Sequence, residues 1–429
     1  MKTLALALTF AVTSAAYADS AWVQATDHGY EARFVTSASQ CPVLRTDTGD
    51  HVMTVRAQAD ANFELVCSAP LGVGVKTAQL VRSGNAAPIA VLPVPVAQPQ
   101  RILVVGDTGC RIKGSTAQDC NDPEKWPFLA VSRASASLKP DLIIHVGDYL
   151  YRENKCPDGN AGCAGSPWGD NWTTWNADFF EPAAALLAAA PIVLVRGNHE
   201  SCNRAGPGWL RLQGPGTYDP AAPCLTHVPQ FLVDLGGLKL AVLDDNNSDE
   251  TSLDRDQAAI YAAELSQLTD QPGPIWLVHH RPIWAAIQGA LGVAVGGNRS
   301  LVQATSLQVE KHQPPIPQSV SLMLSGHIHT FESINYDRDV PPQIVAGNGG
   351  DSLNVTPKDL RGAIFLGASG VGVKDGLSVG GFGFLLMTKA VHGWIIDLYD
   401  PHANPKGQCV FTEPNGKTRG RLDCPGLQP

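Results

Sequence analysis

From residue 101 onward, short apolar runs alternate with longer polar or glycine-rich segments. Five of these runs have the length and composition of buried strands, and they lie at residues 102–105, 142–146, 192–195, 275–278 and 322–324. The segments between them have room for helices, of which residues 254–268 are the clearest. This alternation predicts an α/β fold.

Residues 19–99 show a different pattern. Short runs at 51–58, 63–67, 78–82 and 90–96 are typical of strands, and prolines crowd residues 93–99. They predict a small all-β domain and a Pro-rich linker before an α/β domain over residues 100–429. Residues 382–387 and 393–398 predict closing antiparallel strands, and 289–317 an irregular stretch near the mouth of a site.

The first 18 residues predict a signal peptide. Lys2 precedes an apolar stretch at 4–12, and Ala16-Tyr17-Ala18 forms a small-residue cleavage site, with cleavage expected after Ala18. A first core strand or helix is the alternative. The apolar stretch is too short to span a bilayer, and no later run qualifies either. We therefore expect a secreted or periplasmic protein without a membrane span.

Ten cysteines suit an oxidising compartment, and their even number favours disulfides. A zinc–thiolate site is the alternative, but the chain has no Cys-x-x-Cys pair. Pairing of neighbours along the chain would give Cys41–Cys67, Cys110–Cys120, Cys156–Cys163, Cys202–Cys224 and Cys409–Cys424.

Composition and charge narrow the range of partners. Of the 429 residues, 44% are hydrophobic and 17% charged, which suits a well-buried globular protein. The net charge is −9 and there is no basic patch, so nucleic-acid binding has no support. A small molecule is the expected partner.

Each of the five apolar runs is followed by polar side chains that bind metals or transfer protons. In α/β sheets the carboxyl ends of parallel strands meet at one edge, so these side chains should converge there. A lone histidine is more often a core residue, and Tyr151 alone would be a packed aromatic; the coincidence of all five endings favours a shared site. The candidates are Asp107, Asp148, Tyr151, Asn198, His199, His280, His327 and His329.

Oxygen and nitrogen donors without thiolates suit Fe, Zn or Mn. Seven of the candidates can ligate, and Asp148 can bridge two cations with its two oxygens. Two adjacent cations suit displacement at phosphorus. The eighth candidate, His199, is placed to supply a proton to the leaving oxygen.

The motifs in which these residues lie resemble those of the calcineurin-like metallophosphoesterases, and more narrowly of the purple acid phosphatases. Many metallophosphoesterases have Asp-x-His in the first motif; here Gly109 takes the place of that histidine and Tyr151 is supplied by the second motif. The motifs, in order, are Gly106-Asp107-Thr108-Gly109, Gly147-Asp148-Tyr149-Leu150-Tyr151, Gly197-Asn198-His199-Glu200, His280-Arg281-Pro282 and Gly326-His327-Ile328-His329.

The resemblance implies two mixed β-sheets sandwiched between helices and a two-metal site. It implies that Fe³⁺ would be held by Asp107, Asp148, Tyr151 and His329. It also implies that a divalent Fe, Zn or Mn would be held by Asp148, Asn198, His280 and His327. His199 would contact the phosphate and assist leaving-group departure. Where the family has Val-x-x-His, this chain has Leu277-Val278-His279-His280, which leaves His279 without an implied role.

The expected activity is hydrolysis of phosphate monoesters by metal-activated hydroxide, of the acid phosphatase type. A phosphodiesterase or nucleotidase on the same two metals is one alternative. A non-catalytic exported metal-binding or adhesion module is another, although all seven ligands and His199 are present. The segment 156–175, rich in Cys, Gly and Trp, has no counterpart in the better-known members and is expected to lie over the site.

Overall fold

The structure is a computed structural model that describes residues 19–82, 84, 87–357, 359–365, 370–415 and 419–427. The expected signal peptide at residues 1–18 lies outside this range and stays a prediction. In the part of the chain that is described, no helix combines the length and apolar character that crossing a membrane requires.

Among the described residues up to Leu92 there are eight strands. The first three were not predicted. In β1 and β2, polar side chains such as Gln24 and Arg33 occupy buried positions and hide the apolar alternation. Their polar groups bond to the carbonyl oxygens of Gln213 and Leu212. The strands are β1 Ser20–Thr26, β2 Gly29–Thr36, β3 Val43–Thr46, β4 Gly49–Val52, β5 Thr54–Ala57, β6 Leu65–Pro70, β7 Ala78–Val81 and β8 Pro88–Leu92.

The α/β part begins with β9, and all five predicted buried runs form strands. The strands of its first half are β9 Arg101–Val105, β10 Ile112–Lys113, β11 Thr116–Ala117, β12 Leu142–His145, β13 Ile192–Leu194, β14 Phe231–Asp234, β15 Lys239–Val242 and β16 Ile275–Val278. Those of its second half are β17 Ala286–Gln288, β18 Ala294–Gly296, β19 Val320–Ser325, β20 Phe331–Tyr336, β21 Gln343–Ala346, β22 Ile364–Phe365, β23 Val373–Val379, β24 Phe384–Ala390, β25 Gly393–Tyr399, β26 Pro405–Thr412 and β27 Arg421–Asp423.

The helices lie between the strands of this part. The α-helices are α1 Phe128–Ser137, α2 Trp172–Trp175, α3 Ala184–Ala189, α4 Gly206–Leu212, α5 Arg255–Gln267 and α6 Arg299–Glu310. Single turns of 3₁₀-helix lie at Ala161–Cys163, Asn198–Glu200 and Ala290–Gly292, and a π-helical turn at Asn176–Phe180. The predicted helix is α5, and the Asp254 side chain caps its start.

Two large mixed sheets form the centre of the molecule. One has eleven strands in the order β27-β26-β25-β24-β9-β12-β13-β1-β2-β6-β5. The other has seven in the order β14-β15-β16-β19-β21-β20-β23. β9, β12 and β13 are parallel neighbours in the first sheet, and β16 and β19 in the second. All five predicted strand endings thus belong to parallel strands at the centres of the sheets.

The two sheets pack face to face. Val104 and Ile144 of the first sheet share one core with Trp276 and Leu324 of the second. The outer face of the first sheet is covered by apolar residues of α1 and α3, and that of the second by those of α5 and α6. The predicted sandwich of two mixed sheets between helices is therefore confirmed.

The N-terminal strands divide between two sheets. β3, β4, β7 and β8 form a separate four-stranded sheet, as expected for an N-terminal β unit. The other four continue the eleven-stranded sheet, where β1 runs parallel to β13 with Gln24 opposite Ile192. The domain boundary after residue 99 stays a prediction.

The structure also tests the predictions for the disulfides, the closing strands and the stretch 289–317. All five neighbouring cysteine pairs form disulfides. β24 and β25 pair antiparallel, as predicted. The prediction of an irregular stretch at 289–317 is wrong, because it contains β18 and α6. α6 was missed because several of its buried positions are polar, including Thr305 and Gln308.

Candidate metal centre

The predicted ligands follow the central parallel strands at sharp turns. Asp107, Asp148 and His327 have φ angles of 56°, 59° and 67°. Residues with a side chain rarely adopt this left-handed conformation, which costs about 1–2 kcal/mol each. Such strain is typical of functional sites, where the surrounding structure enforces it.

The first group of donor atoms surrounds the Tyr151 hydroxyl. This hydroxyl lies 2.9 Å from Asp148 Oδ2, 3.0 Å from Asp107 Oδ1 and 3.1 Å from His329 Nε2. His329 Nε2 lies 3.3 Å from Asp107 Oδ1. Donors that bind one cation at about 2.0–2.2 Å stand about 3 Å apart, so these four atoms fit a common cation.

A second group shares Asp148 with the first. His280 Nε2 lies 3.1 Å from Asp148 Oδ2 and 3.1 Å from Asn198 Oδ1. His327 joins them, since one donor atom each of Asp148, His280 and His327 lie within 4.8 Å of one another. The structure therefore brings all seven predicted ligands into one cluster, in two groups that meet at Asp148.

The charges of the cluster favour cations. Burial lowers the pKa of His280, but Asp148, with Asp107 and Asp245, acts against burial and raises it to about 10. Burial also lowers the pKa of His329, and Asp351 and Asp107 raise it to about 9. The site thus attracts positive charge strongly enough to hold protons on two imidazoles, and a cation would take the place of those protons.

Tyr151 is fully buried, and its phenol is protonated unless a cation competes. Burial, and then Asp107 and Asp148, raise its pKa well above the usual range. Gly109 makes room for the ring, because a Cβ at that position would lie 2.8 Å from Tyr151 Cδ2. A histidine at position 109 and the present position of Tyr151 are therefore incompatible.

Buried carboxylates that the sequence patterns did not single out hold the ligand turns in place. Glu200 accepts from the backbone N–H groups of Asp148, Tyr149 and Leu150. Glu200 is adjacent to His199 in the sequence, and this position was the only indication that Glu200 belongs to the site. Asp178 accepts from the backbone of Tyr151 at 2.7 Å.

The second sheet has a similar support in Asp245. This residue lies shortly after β15. Its carboxylate accepts from the backbone N–H groups of His280 and Arg281 and lies 3.1 Å from His279 Nδ1. The His279 ring therefore contacts Asp245, and its Nε2 has no hydrogen-bond partner among the described residues.

His199 lies against the cluster. Its ring centroid is 3.7 Å from that of Tyr151, and its Nε2 is 3.9 Å from Asp148 Oδ2. Its Nδ1 lies 2.7 Å from Glu153 Oε1, which orients the ring. Arg204 contacts both His199 and Glu153. Neither Glu153 nor the contact of Arg204 with His199 was foreseen.

A cavity of about 490 Å³ opens onto the ligands. Its lining includes Asp148, Asn198, His199, His327 and His329. Four further charged residues line it, namely Arg111, Lys113, Arg204 and Glu250. Residues 295–297, from the stretch 289–317 expected near a site mouth, also line it, as does Ile287 just before that stretch.

Two further arginines near the ligand turns do not line the cavity. Arg196 is buried and bonds to the Glu200 carbonyl and to Asp244. Arg281 pairs with Glu250, which also lies 3.2 Å from His327 Nε2. The segment 156–175 contributes no residue to the cavity lining, contrary to the expectation that it lies over the site.

The sequence matches the model of the calcineurin-like phosphoesterase family over residues 100–331, more than half of the chain. The chain belongs to the calcineurin-like phosphoesterases. Members of this family hydrolyse phosphoesters and use a dinuclear metal centre. A comparison with curated proteins found no match to this phosphoesterase.

Two solved structures share the fold of this calcineurin-like phosphoesterase. The structure of PhoD matches with a TM-score of 0.57 at 11% identity, over 99% of this chain and 94% of PhoD. The purple acid phosphatase PPD1 from yellow lupin (Lupinus luteus) seeds matches with a TM-score of 0.51 at 12% identity. That match covers 91% of this chain and 73% of the lupin protein. At these identities the likeness concerns the fold.

Proposed function

We propose that this phosphoesterase hydrolyses phosphate monoesters, in the manner of an acid phosphatase, after export from the cytoplasm. Fe³⁺ would be held by Asp107, Asp148, Tyr151 and His329. A divalent Fe, Zn or Mn would be held by Asp148, Asn198, His280 and His327. His199 is the proposed proton donor.

The observation that carries this proposal is the position of the Tyr151 hydroxyl, within 3.1 Å of one donor atom each of Asp107, Asp148 and His329. A phenolate among two carboxylates and an imidazole is a hard, strongly anionic donor set, which suits a trivalent cation. The second group replaces the phenolate and one carboxylate by the neutral amide of Asn198 and an imidazole. Its lower negative charge suits a divalent cation.

The bound metals would activate a water and neutralise charge on the phosphoryl oxygens. The chain's own groups complete the reaction. When the ester P–O bond breaks, the leaving oxygen needs a proton, and His199 Nε2 faces the cluster from which that oxygen departs. Glu153 at His199 Nδ1 holds the ring in this orientation and stabilises its protonated form.

Export is supported by the five disulfides, since disulfides persist mainly in oxidising compartments. Mass spectrometry of the protein isolated from its native host tests the leader. A mature chain that begins at Asp19 is expected, and a retained Met1 would contradict the proposed cleavage.

The metal assignment is tested by metal analysis and visible spectroscopy of purified protein. Two metals per chain are expected, one of them iron, with a visible absorption band from the Tyr151–iron bond. Tyr151→Phe should lose the band. Tyr149→Phe is the matched control, because Tyr149 is also buried but donates its hydroxyl to Val195 O. A band that survives Tyr151→Phe would refute the assignment.

The substrate class is tested with matched pairs of phosphate monoesters and diesters. A higher kcat/KM for the monoester is expected, with an optimum at acidic pH. A preference for the diester would support the phosphodiesterase alternative. A fully metallated sample that hydrolyses neither would support a non-catalytic metal-binding module. A profile centred well above neutrality would exclude the acid type.

A further inference from the structure

The cavity wall next to His199 carries three cationic side chains. Arg111, Lys113 and Arg204 line the same cavity as His199 and the ligand cluster. The group that leaves phosphorus must lie near the residue that gives it a proton. If His199 is that residue, the leaving group lies against this cationic wall.

Two of the three cations are matched by carboxylates. Arg111 forms an ion pair with the buried Asp351, and its guanidinium lies 5.0 Å from the centre of the Tyr151 ring. Arg204 Nη2 lies 2.5 Å from Glu153 Oε1. These contacts fix both guanidinium groups.

Lys113 differs from the two arginines in its contact with carboxylates. Among the described carboxylates, only Glu153 lies within 4.0 Å of its ammonium, and the distance to Glu153 Oε2 is 3.9 Å, too long for a hydrogen bond. Glu153 already holds His199 and Arg204. On this wall three cations thus lie beside two carboxylates, Glu153 and Asp351, and among the described residues Lys113 has no carboxylate at hydrogen-bond distance.

The surroundings of Lys113 agree with this surplus. Burial, and then the charge of Arg204, lower the pKa of Lys113; Arg111 adds to this effect, and Glu153 and Asp148 oppose it. Its side chain is 48% exposed, so a solute in the cavity can reach the ammonium. Like charges held together at a cavity wall raise the local concentration of anions.

The backbone under Lys113 is held in a fixed position beside the ligands. Lys113 ends the short strand β10, which pairs with β11 in a hairpin. The Cys110–Cys120 disulfide closes the base of this hairpin. The backbone N–H of Ile112 donates to Tyr151 O at 3.0 Å, which ties the hairpin to the segment that carries the phenol.

We propose that Lys113, together with Arg111 and Arg204, binds a second anionic group, a phosphate or a carboxylate, on the leaving-group side of the substrate. This inference rests on the proposed monoesterase function and on the place of His199 in it. The preferred substrates are then phosphate monoesters whose leaving group is itself negatively charged.

A matched series of aryl phosphates tests the proposal with the metal-loaded full-length mature protein. Phenyl phosphate has a neutral leaving group, 4-carboxyphenyl phosphate adds a carboxylate and 1,4-phenylene bisphosphate adds a phosphate. We expect a KM about fivefold lower for at least one of the two anionic substrates, as one partly exposed charge pair can supply. The advantage should shrink as salt is raised.

Variants of Lys113 decide whether this residue is responsible. Lys113→Gln should bring the KM ratio between neutral and anionic substrates close to one, and Lys113→Arg should retain most of it. The exposed Lys125, which lies outside the cavity lining, supplies the matched control, and Lys125→Gln should leave the ratio as in the wild type. The carboxylate and phosphate substrates show which anion is favoured.

The non-hydrolysable phenylphosphonate and 4-carboxyphenylphosphonate give the same comparison by calorimetry without turnover. The inference would be overturned if the wild type bound both phosphonates with equal affinity, or if Lys113→Gln kept the preference for the carboxylated phosphonate. Hydrolysis of phenyl phosphate would in that case still support the proposed function. A protein that hydrolyses none of the esters but binds the carboxylated phosphonate more tightly, through Lys113, would have the anion site without the proposed activity.

Discussion

The ring of Tyr151 occupies the space next to position 109, where a Cβ on Gly109 would lie 2.8 Å from Tyr151 Cδ2. The same Cβ would lie 2.5 Å from Tyr149 O and 2.8 Å from Asp178 Oδ2. Position 109 is thus closed to any side chain by the residues that hold Tyr151 in the cluster. The observed position of the Tyr151 ring therefore requires a glycine at position 109.

Gly109→Ala should displace Tyr151 and lower metal content and activity together. The overpacking should also cost about 1–3 kcal/mol in free energy of unfolding. Gly72→Ala is the matched control, because a Cβ there meets nothing within 4 Å. Metal analysis and urea unfolding of both variants check this expectation, and a fully metallated, active Gly109→Ala protein would contradict it.

His199 should control the pH dependence of hydrolysis. Burial, the largest effect, lowers the pKa of His199 to about 4, although Asp148 and Glu153 act in the opposite direction. A proton donor must be protonated, so kcat for alkyl phosphates should rise as pH falls toward about 4. His199→Asn should remove this rise from the pH profile of kcat, which is the acidic limb of the profile, and reduce kcat by about 10²–10³.

Glu153→Gln should move the same limb to lower pH, since the Glu153 carboxylate raises the pKa of His199. Aryl phosphates with good leaving groups need the proton less and should respond less to either substitution. Steady-state kinetics from pH 3 to 8 measure these effects. An unchanged limb in His199→Asn would assign the proton to another group.

Glu332 should make the fold more stable at acidic than at alkaline pH. This residue of β20 is fully buried, and burial raises its pKa to about 8. Between the unfolded value of about 4.5 and 8, the unfolded chain loses its proton and the folded chain keeps it. Stability is therefore lost as pH rises through this window, by roughly 4–5 kcal/mol.

Glu332→Gln should remove most of this pH dependence and leave the protein more stable than the wild type at pH 8. The substitution Glu310→Gln, at the exposed end of α6, provides a surface control. Urea unfolding of the three proteins at pH 5 and 8 gives the comparison. Parallel losses of stability in the wild type and Glu332→Gln would show that Glu332 is not responsible.

The ten cysteines should all be oxidised in the exported protein. Thiol titration of the denatured, unreduced protein should find none free, and titration after reduction should find ten, because all are paired in the fold. Free thiols in protein recovered from the exported fraction would contradict the pairing.

Much of the site followed from the sequence for a simple physical reason. Ligands that follow buried strands are marked by the apolar runs before them, and parallel strands bring their carboxyl ends to one edge. The five endings therefore predicted the cluster of Asp107, Asp148 and the other ligands before their distances were known. The neighbouring cysteine pairs were also predictable, because short loops bring such pairs close together.

Only the tertiary structure decided which polar residues support and surround the ligands. Glu200, Asp178 and Asp245 accept from the backbone of ligand turns, and such contacts leave no periodic pattern in the sequence. The strands β1 and β2 and the helix α6 were missed because buried polar residues interrupt their apolar periodicity.

The proposed role of Lys113 also depends on the tertiary structure and could not be predicted from the sequence. As a residue in the sequence it is one exposed lysine among many, and nothing in its neighbours marks it. The hairpin places it beside Arg111, Arg204 and Glu153, and the count of charges on that wall becomes meaningful only there. The chemistry of the ligands was set by residue type and order, whereas the electrostatics of the cavity wall depend on distances that only the fold determines.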